Sequence, residues 1–306
     1  MTTLVFGHLS PDTDSTASPI VWAWYLSETG TPAEPTLLGE PNTEALYMLD
    51  RWSLDRPRVI ADVEAGQKVV IVDTNNPAEL PPSIGKAQIV QIVDHHKLTG
   101  GLTTLQPADV TIRPLACTCT IMADMMGADM LARAPEGVRG AMLTAILSDT
   151  LEFRSPTTTP RDREVAVSLA DGLGVGIPDL AAAMFAAKSD VSRFSDAELV
   201  RMDSKKHAVG DTTFRVSVLE TTAPEVVLAR KASLLEALGT VAAEDGVHQV
   251  LFFVVDILRE EATLLVPNAL VRSVAEKSFG VTVDGDAVVL PGVMSRKKQI
   301  IPALAL

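Results

Sequence analysis

The sequence predicts an α/β protein with two domains: a doubly wound, mainly parallel sheet, followed by a smaller α/β domain. Two apolar runs, KVVIV at 68–72 and AQIVQIV at 87–93, are rich in Val and Ile. Such runs are typical of parallel strands that helices cover on both faces. Helix-type patterns stand between the strands, and a chain of 306 residues is long for a single core.

The first domain is expected to span residues 1–188 and to alternate strands with helices. Its strands are predicted at 3–7, 35–38, 68–72 and 87–93. Its helices are predicted at 15–27, 43–52, 119–133, 136–147 and 160–172.

The second domain is expected to span residues 195–306. The segment at 186–194 interrupts the pattern, and SDAE at 195–198 has the form of a capping box that opens a new helix. Strands are predicted at 213–219, 249–257, 263–266 and 287–290, and helices at 224–238 and 268–277. Asp284-Gly285 predicts a tight hairpin turn.

Composition and charge narrow the possible functions. A net charge of -13 argues against broad nucleic-acid binding, so an anionic substrate would need bound cations or a local basic cluster. The longest apolar run, at 250–255, is far shorter than the ~18 residues of a membrane span. Cys117 and Cys119 are too close in sequence for an easy disulfide. We therefore expect a cytoplasmic protein with no membrane partner.

Side chains that bind metals follow three of the predicted strands. They are His8, Asp12 and Asp14 after the first strand, Asp73 after the third, and Asp94, His95 and His96 after the fourth. A further acid, Asp149, ends a helical stretch. Because the carboxyl ends of parallel strands meet at one edge of a sheet, these groups are expected to lie close together.

Each of these features alone has an ordinary structural explanation. Asp14 or Ser15 could cap the first helix, and Asp73 could be a turn residue at a strand end. The histidine pair could lie in an exposed loop, and Asp149 could cap a turn. Their coincidence favours a shared metal site, since three of the five histidines lie at predicted strand ends beside carboxylates.

The ligand types indicate which ions would bind. Carboxylates and imidazoles without thiolates suit Mn²⁺, Co²⁺ or Zn²⁺. Six candidate ligands exceed the needs of one open site, so we expect two ions about 3.5–4 Å apart, the usual clamp for phosphoryl hydrolysis. One aspartate would bridge the ions, and a hydroxide between them would attack phosphorus.

A basic cluster, SRKKQ at 295–299, lies near the other end of the chain. A charge run is commonly a solvated surface. In a chain this acidic it could instead be a phosphate clamp, with Arg296 supplying paired donors and Lys297 a compact charge. Lys205, expected near the end of the helix that Ser195 opens, could join it.

The motifs GHLSPDTDS, VDTNNP, VDHH, LSDT and SRKKQ together resemble the family II inorganic pyrophosphatases of the DHH phosphoesterase superfamily. These manganese-dependent enzymes split pyrophosphate into two phosphates. The DHH motif marks the superfamily, whereas PDTDS and SRKKQ are specific to the family. The resemblance extends over nearly the whole chain.

The resemblance implies a role for each candidate residue. One Mn²⁺ would be bound by His8, Asp12 and Asp73, and a second by Asp14, Asp73, His95 and Asp149, with Asp73 as the bridge. His96 would face the substrate as an acid or orienting group, and Asp94 would orient a histidine. The phosphates would be bound by Lys205, Arg296 and Lys297.

The resemblance also implies an active site in the cleft between the two domains and a homodimer paired through the first domain. Co²⁺ would be a possible substitute metal, and Mg²⁺ or Mn²⁺ would accompany the substrate. Two positions depart from the family pattern: Ser10 replaces the usual Asn, and His207 stands where an aromatic residue is frequent.

Two alternative functions stay open. The chain could be a related DHH hydrolase that cleaves polyphosphate or short oligonucleotides. It could also be a catalytically silent sensor of metal or phosphate, although all six metal-ligand positions carry suitable residues.

Overall fold

The computed structural model describes residues 2–98 and 100–306. The chain divides into two compact units, Met1–Ala187 and Lys188–Leu306. The predicted α/β class is confirmed: the first unit contains a parallel sheet with helices, and the second a mixed sheet with helices.

The first unit is built on six parallel strands in the order β3-β2-β1-β4-β5-β6. The strands are β1 Thr3–Phe6, β2 Ala33–Leu37, β3 Arg58–Val59, β4 Lys68–Val72, β5 Gln88–Asp94 and β6 Asp109–Ile112. The chain leaves β1 in one direction to form β2 and β3, and then returns to form β4, β5 and β6 on the other side. The strand order therefore reverses between β1 and β4, which is where open α/β sheets bind ligands.

Among the described residues of this unit, six α-helices accompany the sheet. They are α1 Thr13–Glu28, α2 Thr43–Arg51, α3 Thr118–Arg133, α4 Glu136–Asp149, α5 Pro160–Leu173 and α6 Ile177–Lys188. Helix α1 packs against both α3 and α4. Its first eleven residues are buried and mostly small, which permits this close packing.

The second unit has five strands in the order β11-β10-β9-β8-β7, with β8 and β9 parallel and the other pairs antiparallel. The strands are β7 Ser204–Val209, β8 Thr212–Thr221, β9 Gln249–Asp256, β10 Glu261–Leu265 and β11 Ala287–Pro291. The helices are α7 Asp196–Arg201, α8 Pro224–Leu228, α9 Lys231–Asp245, α10 Ala269–Phe279 and α11 Ile301–Ala303. Apolar residues of α9 and of α10 pack in two separate clusters, so both faces of the sheet are covered.

Several sequence expectations are wrong in detail. The short edge strands β3 and β6, and helix α6, were not predicted. The helix expected at 224–238 is two helices, α8 and α9. Asp284-Gly285 is not a hairpin turn, because the strands that pair there, β10 and β11, are separated by α10.

Lys205 does not lie near the end of a helix. Helix α7 ends at Arg201, and Lys205 lies in β7, paired with Val216 of β8. The turn between α7 and β7 is held by Ser204 Oγ, which donates to the Arg201 carbonyl at 3.0 Å. Lysines are common on edge strands because they discourage pairing with other chains. The polar segment SKKHAV therefore fits an edge strand.

In the part of the chain that the structure describes, no single helix is long and apolar enough to cross a bilayer. Helices α5 and α6 meet the criterion only when they are joined, and they are bent by 100°.

Candidate metal centre

The predicted ligands of the first unit emerge where the strand order reverses. Gly7 follows β1 and must be glycine, because a Cβ there would lie 2.0 Å from Ser15 Oγ. That hydroxyl oxygen accepts a hydrogen bond of 2.8 Å from the backbone N–H of His8. The close approach of β1 to the start of α1 thus fixes the backbone of the first candidate ligand.

One group of possible ligands contains His8, Asp12 and Asp73, each with one ligand atom within 4.8 Å of the others. His8 Nε2 lies 3.7 Å from Asp12 Oδ2 and 3.6 Å from Asp73 Oδ2. Asp12 is also the N-cap of α1, since its Oδ1 accepts from the Ser15 N–H at 3.0 Å. The prediction that the helix begins at Ser15 is wrong by two residues, and Asp12 combines the cap with a place in the ligand group.

A second group contains Asp14, His95 and Asp149, again with ligand atoms within 4.8 Å of one another. Asp14 is buried, and its two oxygens accept hydrogen bonds of 2.7 Å from Ser18 Oγ and from the Thr118 N–H. His95 Nδ1 lies 3.2 Å from the Leu115 carbonyl oxygen, which can only accept. His95 therefore carries its proton on Nδ1, which leaves the lone pair of Nε2 for a metal.

Asp73 lies between the two groups. Its Oδ1 is 3.3 Å from His95 Nε2, while its Oδ2 is the atom that approaches His8. Its backbone has a φ of 58°, a left-handed conformation that Asp and Asn tolerate better than most residues. Burial raises the pKa of this carboxyl well above its usual value, and the charges of Asp14 and Asp12 raise it further. A bound cation would relieve this repulsion.

Asp149, the last residue of α4, shows the same electrostatic effect. Burial and then the charges of Asp14 and Asp12 raise the pKa of its carboxyl well above the usual value. Its Oδ2 is buried and has no hydrogen-bond partner among the described residues. Such an oxygen is costly unless it is coordinated. Beyond Thr150, three consecutive residues, Leu151, Glu152 and Phe153, have positive φ and turn the chain sharply.

His96 is half-exposed and is held from behind by Asp94. Its Nδ1 lies 2.9 Å from Asp94 Oδ1, which also accepts from the His96 backbone N–H at 3.0 Å. Asn75 Nδ2 donates to the other oxygen of Asp94 at 2.6 Å. Burial opposes ionisation of Asp94, but the hydrogen bonds that it accepts lower its pKa, and the bond that His96 donates to it raises the pKa of His96. As expected from the sequence, Asp94 orients a histidine.

Three residues that the sequence analysis missed support the ligands. Thr118 donates to two of them: its N–H bonds Asp14, and its Oγ1 bonds Asp73 at 3.2 Å. Glu44, buried at the start of α2, accepts at one oxygen from Thr13 Oγ1 at 2.9 Å and from Ser148 Oγ at 2.8 Å. It thereby joins the start of α1 to the end of α4. Ser18 donates to Asp14. Of these three contacts, this one alone had a signal in the sequence, because a serine one helical turn after an aspartate lies next to it on the helix.

The donor set suits a hard or borderline divalent cation. The two groups offer carboxylate oxygens, which suit Mn²⁺, together with imidazole nitrogens, which suit transition metals in general. The hydrogen bonds to Asp14 and His95 fix the orientation of these ligands, as outer partners do in metal sites. On these grounds the residues present fit a metal centre.

Two buried thiols adjoin this region. Cys117 and Cys119 lie at the start of α3, and one ligand atom from each is within 4.8 Å of an Asp14 oxygen. Cys119 Sγ is also 3.4 Å from Ser18 Oγ. Burial raises the pKa of both thiols, to about 11 for Cys119.

In the second unit, Arg296 and Lys297 line a cavity of about 360 Å³ together with Asp203, Ser295 and other residues. Arg296 Nη1 forms an ion pair of 2.9 Å with Asp203, and only 15% of its side chain is exposed. Lys297 is exposed. Lys205 is exposed on β7 and is not among the residues that line this cavity.

The fold and the side chains together define a two-domain α/β protein with a carboxylate–imidazole centre at the switch point of a parallel sheet. The model of the DHH family N-terminal domain matches residues 2–148, and that of the DHHA2 domain matches residues 182–305. Both observations agree with the resemblance inferred from the motifs.

Known proteins that match over nearly their whole length identify the family. The chain is 42% identical to the probable manganese-dependent inorganic pyrophosphatase of Deinococcus radiodurans over 305 residues, 98% of this chain and 96% of that one. It is 33% identical to the manganese-dependent inorganic pyrophosphatase of Bacillus subtilis, with coverage of 98% and 97%. The solved structure of a putative family II inorganic pyrophosphatase from Methanococcus jannaschii matches with a TM-score of 0.62 and 31% identity, covering 99% of this chain and 98% of that chain. The chain therefore belongs to the manganese-dependent inorganic pyrophosphatase family.

Proposed function

We propose that this chain hydrolyses inorganic pyrophosphate to two phosphates at a centre that binds two Mn²⁺ ions. The similarity to manganese-dependent pyrophosphatases over the full chain supports this function. The observation that carries it is the position of Asp73, whose two oxygens approach His8 of one ligand group and His95 of the other. A carboxyl shared by the two ligand groups would suit a pair of metal ions, which is the arrangement used in phosphoryl hydrolysis.

The proposed ligands divide into two sets. One ion would be held by His8, Asp12 and Asp73, and the other by Asp14, Asp73, His95 and Asp149. Two groups of ligand atoms within 4.8 Å support this division, namely His8, Asp12 and Asp73, and Asp14, His95 and Asp149. A third group, Asp73, His95 and His96, links Asp73 to the second set through His95. Co²⁺ is proposed as a substitute metal, and Mg²⁺ or Mn²⁺ as the ion that accompanies the substrate.

The metal ions, when bound, lower the pKa of a water molecule and neutralise charge on phosphate. The remaining steps use the protein's own groups. His95, protonated at Nδ1, offers Nε2 as a ligand, and Thr118 keeps Asp14 and Asp73 in position. His96, whose Nδ1 is fixed by Asp94, turns its other nitrogen to the substrate and donates to or orients the leaving phosphate.

Three cations of the second unit are proposed to bind the phosphates. Arg296 is nearly buried and held by Asp203, so its guanidinium is pre-oriented for an oxyanion. Lys297, beside it, adds a compact charge. Lys205 has weaker support, because it lies on β7 and outside the cavity that contains the other two.

We also propose that the protein is a cytoplasmic homodimer. Strand β6 lies at the edge of the first sheet, where its backbone can pair with the same strand of a second copy. Val110 on this strand is 52% exposed, which leaves an apolar side chain for such a contact. Cys117 and Cys119 are free thiols, as is usual in a reducing compartment. Light scattering of the wild type and of Val110→Lys, which places a charge on this exposed edge, tests the pairing; equal masses would contradict it.

The function is tested with protein stripped by a chelator. Phosphate release from pyrophosphate should be absent after stripping and should return with Mn²⁺ or Co²⁺. Long-chain polyphosphate and a dinucleotide, measured in parallel, separate a pyrophosphatase from related hydrolases. No phosphate release from pyrophosphate in the presence of Mn²⁺ would overturn the proposal, and so would faster turnover of either comparison substrate.

A further inference from the structure

The carboxyl of Asp14 belongs to two potential metal-binding groups of different chemistry. In one it is combined with His95 and Asp149, and in the other with the thiols of Cys117 and Cys119. Manganese prefers oxygen and nitrogen ligands, whereas Zn²⁺ and Cd²⁺ bind sulfur strongly. The manganese sites proposed above make no use of the two sulfur atoms.

The thiols converge because of where they stand in α3. Cys117 is the N-cap, with extended φ and ψ of -145° and 140°, and Cys119 is already in the first helical turn. The change of backbone conformation between them allows two residues separated by one position to face the same carboxyl. The N–H of Thr118, which stands between them, donates to Asp14 Oδ2 and holds that carboxyl against the same turn.

The spacing is compatible with a thiophilic ion. The ligand atoms of Asp14, Cys117 and Cys119 lie within 4.8 Å of one another. With Zn–S bonds of about 2.3 Å and tetrahedral angles, two sulfur atoms would stand ~3.8 Å apart. Even if the two sulfur atoms were separated by the full 4.8 Å, a movement of roughly half an ångström by each side chain would bring them to the distance that a shared ion needs.

All three side chains are almost completely buried, with exposures of 1% or less. Asp14 is shared with the proposed manganese ligands, and Asp12 in the neighbouring ligand group has a side chain that is 48% exposed. The two sulfur atoms therefore adjoin the manganese ligands, with Asp14 common to both groups. Buried cysteines commonly serve as small apolar residues, and packing alone would explain them if no ion bound.

We propose that Asp14, Cys117 and Cys119 form a binding site for a thiophilic divalent cation, Zn²⁺ or Cd²⁺, that competes with Mn²⁺ for Asp14. Each thiol that coordinates releases its proton to solvent, so no oxidant or reductant is needed. An ion held by both sulfurs draws Asp14 away from His95 and Asp149. Binding of the ion does not depend on the proposed function, whereas inhibition by it does.

The binding experiment uses the full-length, reduced and metal-stripped chain, titrated with Cd²⁺. The sulfur-to-cadmium charge-transfer absorbance should rise and saturate at one ion per chain. Because the sequence contains only Cys117 and Cys119, any such band reports this pair. Excess Mn²⁺ should weaken the apparent Cd²⁺ affinity, since both ions need Asp14. No band, a band at one ion per two chains, or a band indifferent to Mn²⁺ would overturn the proposal.

Two variants separate the site from general damage. Cys119→Ala and Cys117→Ala should each lower the Cd²⁺ affinity at least about tenfold, the cost of losing even an outer partner in a metal site. Thermal unfolding without metal identifies a variant that fails to fold, and the other variant then decides the question. Unchanged Cd²⁺ affinity in a folded variant would contradict the assignment.

Enzyme assays add the link to turnover. Cd²⁺ should inhibit Mn²⁺-dependent phosphate release by the wild type at concentrations at least about tenfold below those needed for Cys119→Ala. If the absorbance band appears but pyrophosphate is not hydrolysed, the thiolate site stands and the proposed function fails. If pyrophosphate is hydrolysed but the absorbance band does not appear, the proposed function stands and the thiolate site fails.

Discussion

Replacing Asp73 by Asn should stabilise the metal-free protein while removing most of its response to Mn²⁺. Asn is the suitable substitution because it tolerates the φ of 58° and can still accept from Thr118 Oγ1. The change removes one charge from a buried group in which Asp14, Asp12 and Asp149 repel it. A residue that is needed for metal binding thus reduces stability in the absence of metal.

The size of the stabilisation expected for Asp73→Asn follows from the raised pKa of Asp73. Each unit by which the folded-state pKa exceeds the unfolded-state value corresponds to ~1.4 kcal/mol at a pH above both values. In a unit the size of Met1–Ala187, that energy shifts the melting temperature by about 3–6 °C. The folded chain binds the proton more tightly, so its stability falls as the pH rises from the ordinary carboxyl pKa through the raised one. Asn removes this dependence.

The assay is thermal unfolding with a chelator and with Mn²⁺, from mildly acidic to mildly alkaline pH. With chelator, Asp73→Asn should melt above the wild type, and the difference should grow with pH. Addition of Mn²⁺ should raise the melting temperature of the wild type far more than that of the variant. Asp50→Asn, at an exposed carboxyl of α2, is the matched control and should change little. The reasoning would be refuted if, with chelator, the variant melted below the wild type, or if the difference in melting temperature did not change with pH.

Three further predictions concern the surroundings of the centre. Glu44→Gln should weaken Mn²⁺ binding about 10–100-fold in a metal titration, because Thr13 and Ser148 lose a charged acceptor; unchanged affinity would mean that Glu44 does not position the ligands. Gly7→Ala should cost about 1–3 kcal/mol of unfolding free energy in denaturant, since its Cβ meets Ser15 Oγ, whereas Gly85→Ala meets no atom within 4 Å and serves as the control. Lys297→Ala should mainly raise KM for pyrophosphate, and a KM equal to that of the wild type would contradict the clamp.

The strand ends were predictable because they depend on local pattern. Apolar runs defined β1, β4 and β5, and parallel pairing brings whatever follows them to one edge. His8, Asp73 and His95 were found in this way. Strand β3 was missed because two residues carry too little periodic signal, and β6 because its sequence DVTI, exposed or half-buried, is not an apolar run.

Glu44 could not be recognised from sequence for a different reason. It reads as an ordinary acid in the first turn of an amphipathic helix, a position that acids favour. Its partners are 31 and 104 residues away, so only the tertiary structure brings them together. Lys205 shows the converse: a polar segment after a capping box suggested a continuing helix, whereas pairing with β8 made it an edge strand.

The two oxygens of Asp12 act separately: Oδ1 caps α1, while Oδ2 faces His8. The helix start is consequently held in place by a bond that no cation has to supply. An incoming ion meets a preorganised rim instead of a disordered loop, so association does not have to include the entropic cost of ordering the chain. We expect shedding of hydration water, and not local folding, to limit how fast the protein takes up its metal.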